Sequence, residues 1–233
     1  MDKAVVLASG GINSAVATAV IREQYTPCLL HVSWGHRSAE REASAFQQTA
    51  SAMGIETAMR VEAADLATFG GNARASKRMS IEDASTIEKT TPATFACGIL
   101  PSMLSVAAVW ANAIGARRII VGISEDHGVP GPAISELYPD YRIEFIQTFN
   151  LMLKYAMPAD RELVVEAPLL DLTRPEVIRL GMRIDVPFKL TWSCYANNTN
   201  PCNRCLGCHN RAAGFLQAKL PDPLILSEKT VVL

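Results

Sequence analysis

Apolar and polar positions follow two rhythms along this chain. Residues 5–9 and 28–34 are short apolar runs rich in strand-favouring side chains, and residues 14–23 between them carry Ala and Val at helical spacing. The opening therefore predicts strand, turn, helix, strand. Residues 38–53 repeat a helical pattern that Gly54 ends, and 56–61 predict a third strand. An Ala-rich helix is predicted over 101–114, closed by Gly115, then a strand over 118–124, a helix over 142–156 and a strand over 163–170. Thr173, Pro175 and Glu176 make a capping-box start ahead of Val177, Ile178 and Leu180. Strands alternating with helices predict an α/β fold, a doubly wound and mostly parallel sheet with helices on both faces.

Three stretches break the rhythm. Residues 70–91 are polar and mixed in charge, 127–137 hold Gly128, Pro130, Gly131 and Pro132 and read as a loop, and 191–211 carry four of the six cysteines. No internal repeat stands out.

Composition narrows the class. Of 233 residues, 49% are hydrophobic and 19% charged, which suits a soluble fold with a substantial core. A net charge of −1 implies no global attraction to nucleic acid or membrane, so direct nucleic-acid binding is not expected. No apolar run reaches the roughly 20 residues of a membrane span. The apolar run after Met1, Asp2 and Lys3 is too short for a signal peptide. The expected location is cytoplasmic, where thiols stay reduced and clustered cysteines point to metal rather than disulfides.

Two motifs carry chemistry. Ser9, Gly10, Gly11, Ile12, Asn13 and Ser14 stand where the first strand meets the first helix. Adjacent glycines let backbone N–H groups approach an anion, and the helix N-terminus adds donors and a favourable dipole. A plain strand-to-helix turn capped by Asn13 or Ser14 would leave the same six residues. Cys194, Cys202, Cys205 and Cys208 read C-x7-C-x2-C-x2-C, the ligand set of a closed, structural four-thiolate zinc site. An iron–sulfur cluster is the alternative. The expected division is a nucleotide-binding domain over 1–190 and a zinc-binding segment over 191–233 packed on it.

The glycine loop resembles the SGGxDS signature of the PP-loop ATP pyrophosphatases, with Asn13 where that family has Asp. The stretch from Leu190 through Trp192, Cys194 and Tyr195 to Cys208, Arg211 and Phe215 resembles the C-terminal signature of the 7-cyano-7-deazaguanine synthases, the QueC family. Leu172 to Gly181 resembles that family's "LTKxEIIRLG" helix, Tyr138 to Phe145 its "YPDCRPEF", and Gly35, His36 and Arg37 its "GQR". The resemblance implies conversion of 7-carboxy-7-deazaguanine, ammonia and ATP into 7-cyano-7-deazaguanine, with zinc and magnesium, in a homodimer. It assigns nucleotide binding to Ser9, Gly10, Gly11, Asn13 and Ser14, and catalysis to Ser9, Asn13, Ser14 and Arg37. Substrate contacts are expected from Asp140, Arg142, Glu144 and Trp192.

Each of these has a plainer reading. Arg37 could cap its loop, the acidic and basic trio could form a local ion-pair network, and Trp192 could pack on the zinc loop. His31 is expected to be a satisfied core residue, whereas His36 and His127 sit on loops with no role assigned.

Two further departures face the ligand side. Ile99 and Leu100 stand where the family's "TFVPGRN" has Arg and Asn, and about eight residues are inserted before Tyr138. They leave open a QueC-like enzyme acting on a related carboxylate or amine, or a catalytically impaired nucleotide-binding paralogue.

Overall fold

The computed structural model describes residues 1–88, 91–126, 133–196 and 199–225. Its centre is a five-stranded sheet of β1 (Lys3–Leu7), β2 (Thr26–Ser33), β3 (Thr57–Glu62), β4 (Arg118–Val121) and β5 (Val164–Glu166). Every neighbouring pair is parallel, in the order β3-β2-β1-β4-β5. The chain steps outward from β1 to β3, then returns to lay β4 on the other side of β1. Open α/β sheets bind ligands at the carboxyl ends of strands at such a reversal.

Among the described residues the α-helices are α1 (Ile12–Ile21), α2 (Ala39–Ala52), α3 (Ile99–Ile114), the single turn α4 (Ile134–Leu137), α5 (Ile143–Ala156), α6 (Arg174–Arg183) and α7 (Leu206–Ala218). Alternate strand residues divide between two cores, as the two-residue period of a strand requires. Ala4, Val6, Leu29 and Ile120 pack with Val16, Phe46, Ile178 and Phe215, so α1, α2, α6 and α7 cover one face. Val5, Leu30, Ile119 and Val121 pack with Leu104, Ala107, Ile146 and Phe149, so α3 and α5 cover the other. Each large aliphatic side chain buried this way contributes about 1.5–3 kcal/mol.

Most predicted elements are present, and their ends differ for local reasons. The strand expected over 118–124 stops at Val121 because Gly122 lies against the backbone of Asn13 and Ser14; a Cβ there would stand 2.6 Å from Asn13 C and Ser14 N. The strand expected over 163–170 shrinks to three residues, since Pro168 cannot donate and the chain turns through Leu170 N–H to Ala167 O and Leu172 N–H to Leu169 O, each 3.1 Å. Helix α3 starts at Ile99 rather than 101: Gly98 turns the chain at φ +80, and Pro101 falls in the first turn, where no N–H is required. Residues 134–137, expected as loop, form α4. The rest of that insertion, 127–132 with His127, lies outside the described residues.

The capping box at α6 is present, with Thr173 N–H donating to Glu176 Oε2 at 2.8 Å. The C-terminal segment shares the main core through Phe215. The buried Arg211 ties it down further, pairing with Asp222 at 2.7 and 2.8 Å while donating to Thr191 and to Phe188 O. Among the described residues no helix is long and apolar enough to cross a membrane.

Candidate active site

The glycine loop sits at the carboxyl end of β1. Gly10 has φ +77, and a Cβ on it would stand 2.6 Å from Glu42 O and 2.8 Å from Phe46 N, so α2 admits only glycine here. Gly11 differs from expectation: its φ of −88 is open to any residue, and a Cβ would meet Ser9 Oγ at 3.2 Å. Ser14 Oγ donates to Gly11 O at 3.1 Å, and Ser9 Oγ lies 3.4 Å from Ser14 Oγ. These hydroxyls stand at the start of α1, with Asn13 beside them.

Two chambers meet over this loop. The first, about 160 Å³, is lined by strand ends and the start of α3: Leu7, Val32, Val121, Ile99, Leu100 and Met103, with Trp34, Tyr138, Tyr141 and Asp140. The second, about 210 Å³, is polar, lined by Gly11, Asn13, Arg174, Ser193, Asn210 and Arg211. Ser9, Ser14, Glu42, Arg74, Gly122, Tyr141 and Tyr195 line both and form the seam. An apolar slot joined to a polar one across the glycine loop can hold a planar ring on one side and an anion on the other.

The electrostatics of the seam centre on Glu42. Burial alone would raise its pKa, but His36 and Arg74 outweigh it, and with hydrogen bonds from His36 and Ser38 they hold it at about 2. His36 Nε2 is 2.9 Å from one carboxylate oxygen and Arg74 Nη2 is 3.0 Å from the other. The Arg74 guanidinium lies 4.7 Å from the Tyr195 ring centre and 5.3 Å from that of Trp34. Burial pushes the Tyr138, Tyr141 and Tyr195 phenols upward, so all three stay protonated donors at neutral pH. Burial also raises Asp140, to about 6.

The cysteine quartet is assembled. All four Sγ atoms lie within 4.8 Å of one another, and Cys202 and Cys208 are 4.0 Å apart. A tetrahedral zinc with Zn–S near 2.3 Å needs sulfurs about 3.8 Å apart, so the quartet fits. Backbone N–H groups point at the sulfurs: Tyr195 to Cys205, Ala196 and Cys202 to Cys194, and Cys205 to Cys202, all at 3.3–3.4 Å. Such donors stabilise thiolate charge, the form that binds metal. The segment reaches the loop directly, because Trp192 N–H donates to Gly10 O at 2.9 Å.

The other sequence candidates separate clearly. Asp140 lines the apolar chamber. Arg142 donates to Ser135 O at 2.8 Å and Glu144 is exposed, and neither lines a chamber. Arg37 lies outside both chambers too; its guanidinium donates to the carbonyls of Ser76 and Met79, pinning the polar stretch after β3. Trp192 lines the polar chamber, but Arg41 covers its ring at 4.7 Å and its indole N–H donates to Cys194 O at 3.0 Å. His31 is buried with Nδ1 on Ala8 O at 2.9 Å, as expected of a core residue, although Nε2 has no partner among the described residues. Sequence reasoning missed Glu42, Arg74, Tyr141 and Tyr195 at the seam, and Asp126, whose carboxylate clasps Arg174. The tyrosines lie inside quoted motifs, whereas nothing near Arg74 in sequence marks it.

Comparison with known proteins shows the family of the chain. The family model described as "Queuosine biosynthesis protein QueC" matches residues 3–219. The 7-cyano-7-deazaguanine synthase of Chloroherpeton thalassium is 34% identical over 224 residues, covering 95% of this chain and 96% of the relative. That of Methanothrix thermoacetophila is 35% identical over 231 residues, covering 96% and 98%. Among solved structures, the U34-tRNA thiolase NcsA of Methanococcus maripaludis, with its [4Fe-4S] cluster, aligns at TM-score 0.52 and 14% identity, over 94% of this chain and 66% of that one. That likeness is one of fold.

Proposed function

Because the chain belongs to the QueC family of queuosine biosynthesis proteins, we propose that it is an ATP-dependent carbon–nitrogen ligase that makes 7-cyano-7-deazaguanine from 7-carboxy-7-deazaguanine and ammonia. The observation that carries this reading is the seam: Ser9 and Ser14 line both the apolar and the polar chamber, so a planar acid and a nucleotide can meet over one phosphate loop.

A carboxylate resists attack by ammonia because its carbon is shielded by negative charge. In the proposed reaction its oxygen attacks the α-phosphorus of ATP and pyrophosphate leaves. The loop N–H groups with Ser9 and Ser14 receive that pyrophosphate. Ammonia attacks the activated carbonyl, AMP and a proton leave, and an amide forms. The amide oxygen is adenylated in turn by a second ATP, and loss of AMP and a proton yields the nitrile. The residues contribute by positioning and by stabilising developing charge. Magnesium, held near Asn13, would neutralise the pyrophosphate; an amide offers it a carbonyl oxygen but no charge. Zinc on Cys194, Cys202, Cys205 and Cys208 would be structural, since four thiolates leave no open position.

Ile99 and Leu100 favour a second reading. They present hydrocarbon to the chamber where a guanidinium is expected, which suits a QueC-like enzyme adenylating a related acid or using another amine. The test is mass analysis of products from the purified protein with ATP, magnesium, ammonium and 7-carboxy-7-deazaguanine. Formation of the nitrile with AMP and pyrophosphate is expected. AMP formation with other acids only would select the second reading, and no AMP from any of them would sink both.

A further inference from the structure

Among the described residues three guanidinium groups line the chambers, each beside a carboxylate, and two of them are held through two nitrogens. Arg174 gives both Nε and Nη2 to Asp126, and Arg211 gives both to Asp222. Arg74 is different. Its single side-chain hydrogen bond among the described residues runs from Nη2 to Glu42, and its Nε is buried without an acceptor. A buried donor left unmet is costly, more so when charged, and an arriving ligand oxygen would supply an acceptor.

The group is also aimed. The Tyr195 and Trp34 rings hold it at 4.7 and 5.3 Å, and Asn72 Oδ1 accepts the N–H groups of Arg74 and Ala75 at 3.0 and 2.9 Å, which sets the local turn. It stands at the seam, facing a chamber whose wall of Ile99, Leu100 and Met103 offers no donor. It is the only guanidinium or ammonium group lining that chamber among the described residues.

We propose that Arg74 receives the carboxylate of the planar acid and determines specificity for it, holding that oxygen beside the phosphate loop where adenylation occurs. This rests on the reaction proposed above. The phosphates themselves have the loop N–H groups and serine hydroxyls. A planar guanidinium that spends one hydrogen bond on Glu42 keeps N–H donors for a carboxylate, which accepts two parallel hydrogen bonds.

The test uses the full chain and calorimetric titration with 7-carboxy-7-deazaguanine, its neutral 7-carboxamide, and ATP. In Arg74→Gln the affinity for the acid should fall about tenfold or more, while the carboxamide and ATP change less than about threefold. The double variant Arg74→Gln with Glu42→Gln removes the acid that the single variant leaves without its guanidinium, so it guards against misfolding. It should bind the acid as weakly as the single variant. Recovery of acid binding in the double variant would show that Arg74 only neutralises Glu42, and would overturn the assignment. So would an unchanged acid affinity, equal losses for acid and carboxamide, or a loss confined to ATP. A parent protein that binds no 7-carboxy-7-deazaguanine would remove the proposed reaction itself, and the Arg74 assignment with it.

Discussion

Asp140 reaches the apolar chamber with Oδ1 buried and unpartnered among the described residues, and burial lifts its pKa from 3.8 to about 6. A carboxyl whose folded pKa lies above its unfolded one contributes most to stability below the unfolded value. That contribution is lost as pH rises through the folded value. The folded protein therefore carries a penalty at neutral pH that Asn would not. Asp140→Asn should raise the melting temperature by a few degrees at pH 8 and leave it unchanged at pH 4 or below. A gain of equal size at both pH values would assign the effect to packing instead. The penalty suits a residue kept for its ligand, since functional positions are where stability is commonly sacrificed. The glycines make a contrasting pair: α2 leaves no room for a side chain on Gly10, whereas Gly11 adopts a backbone conformation open to any residue.

At the scale of elements, the segment after β3 explains why Arg37 and Arg74 belong together. It contains no strand or α-helix from 70 to 88, so little burial holds it. Arg37 substitutes for that missing core. Its guanidinium grips Ser76 and Met79 carbonyls, and its N–H donates to Arg74 O at 2.9 Å. Arg37→Ala should let trypsin cut at the exposed Lys77 or Arg78 about tenfold faster, because local opening governs such cleavage. The melting temperature should shift little. An unchanged cleavage rate would show that Asn72 and the Arg74–Glu42 pair suffice. Arg37 of the "GQR"-like residues thus reaches the seam through a neighbouring loop, which matches its loop-capping reading rather than a catalytic one.

For the molecule as a whole, the cysteine segment and the glycine loop are one mechanical unit. Trp192 N–H bonds Gly10 O, and Arg211 fastens Thr191 and Phe188 to Asp222. Removing a metal held by the four cysteines should therefore loosen the glycine loop as well as α7. Purified parent protein should carry about one thiophilic metal ion per chain, and Cys205→Ser should lose it, melt earlier and bind ATP more weakly. Metal analysis with calorimetry decides this, and intact ATP affinity in a metal-free variant would uncouple the two regions. Zinc in the parent would separate the structural site from the iron–sulfur alternative.

The strands, the glycine loop, the capping box at Thr173 and the cysteine quartet were legible along the chain, because each follows from short-range backbone geometry. A two-residue period marks a strand, a glycine pair marks a tight turn, and closely spaced thiols in a reducing compartment mark a metal. Arg74, Glu42 and Tyr195 were not legible. They come from separate segments and meet only when α2, the irregular loop and the cysteine segment pack around the carboxyl ends of the strands. The direction of a long polar side chain depends on which neighbours the whole core leaves within reach, and no local period in the chain encodes that.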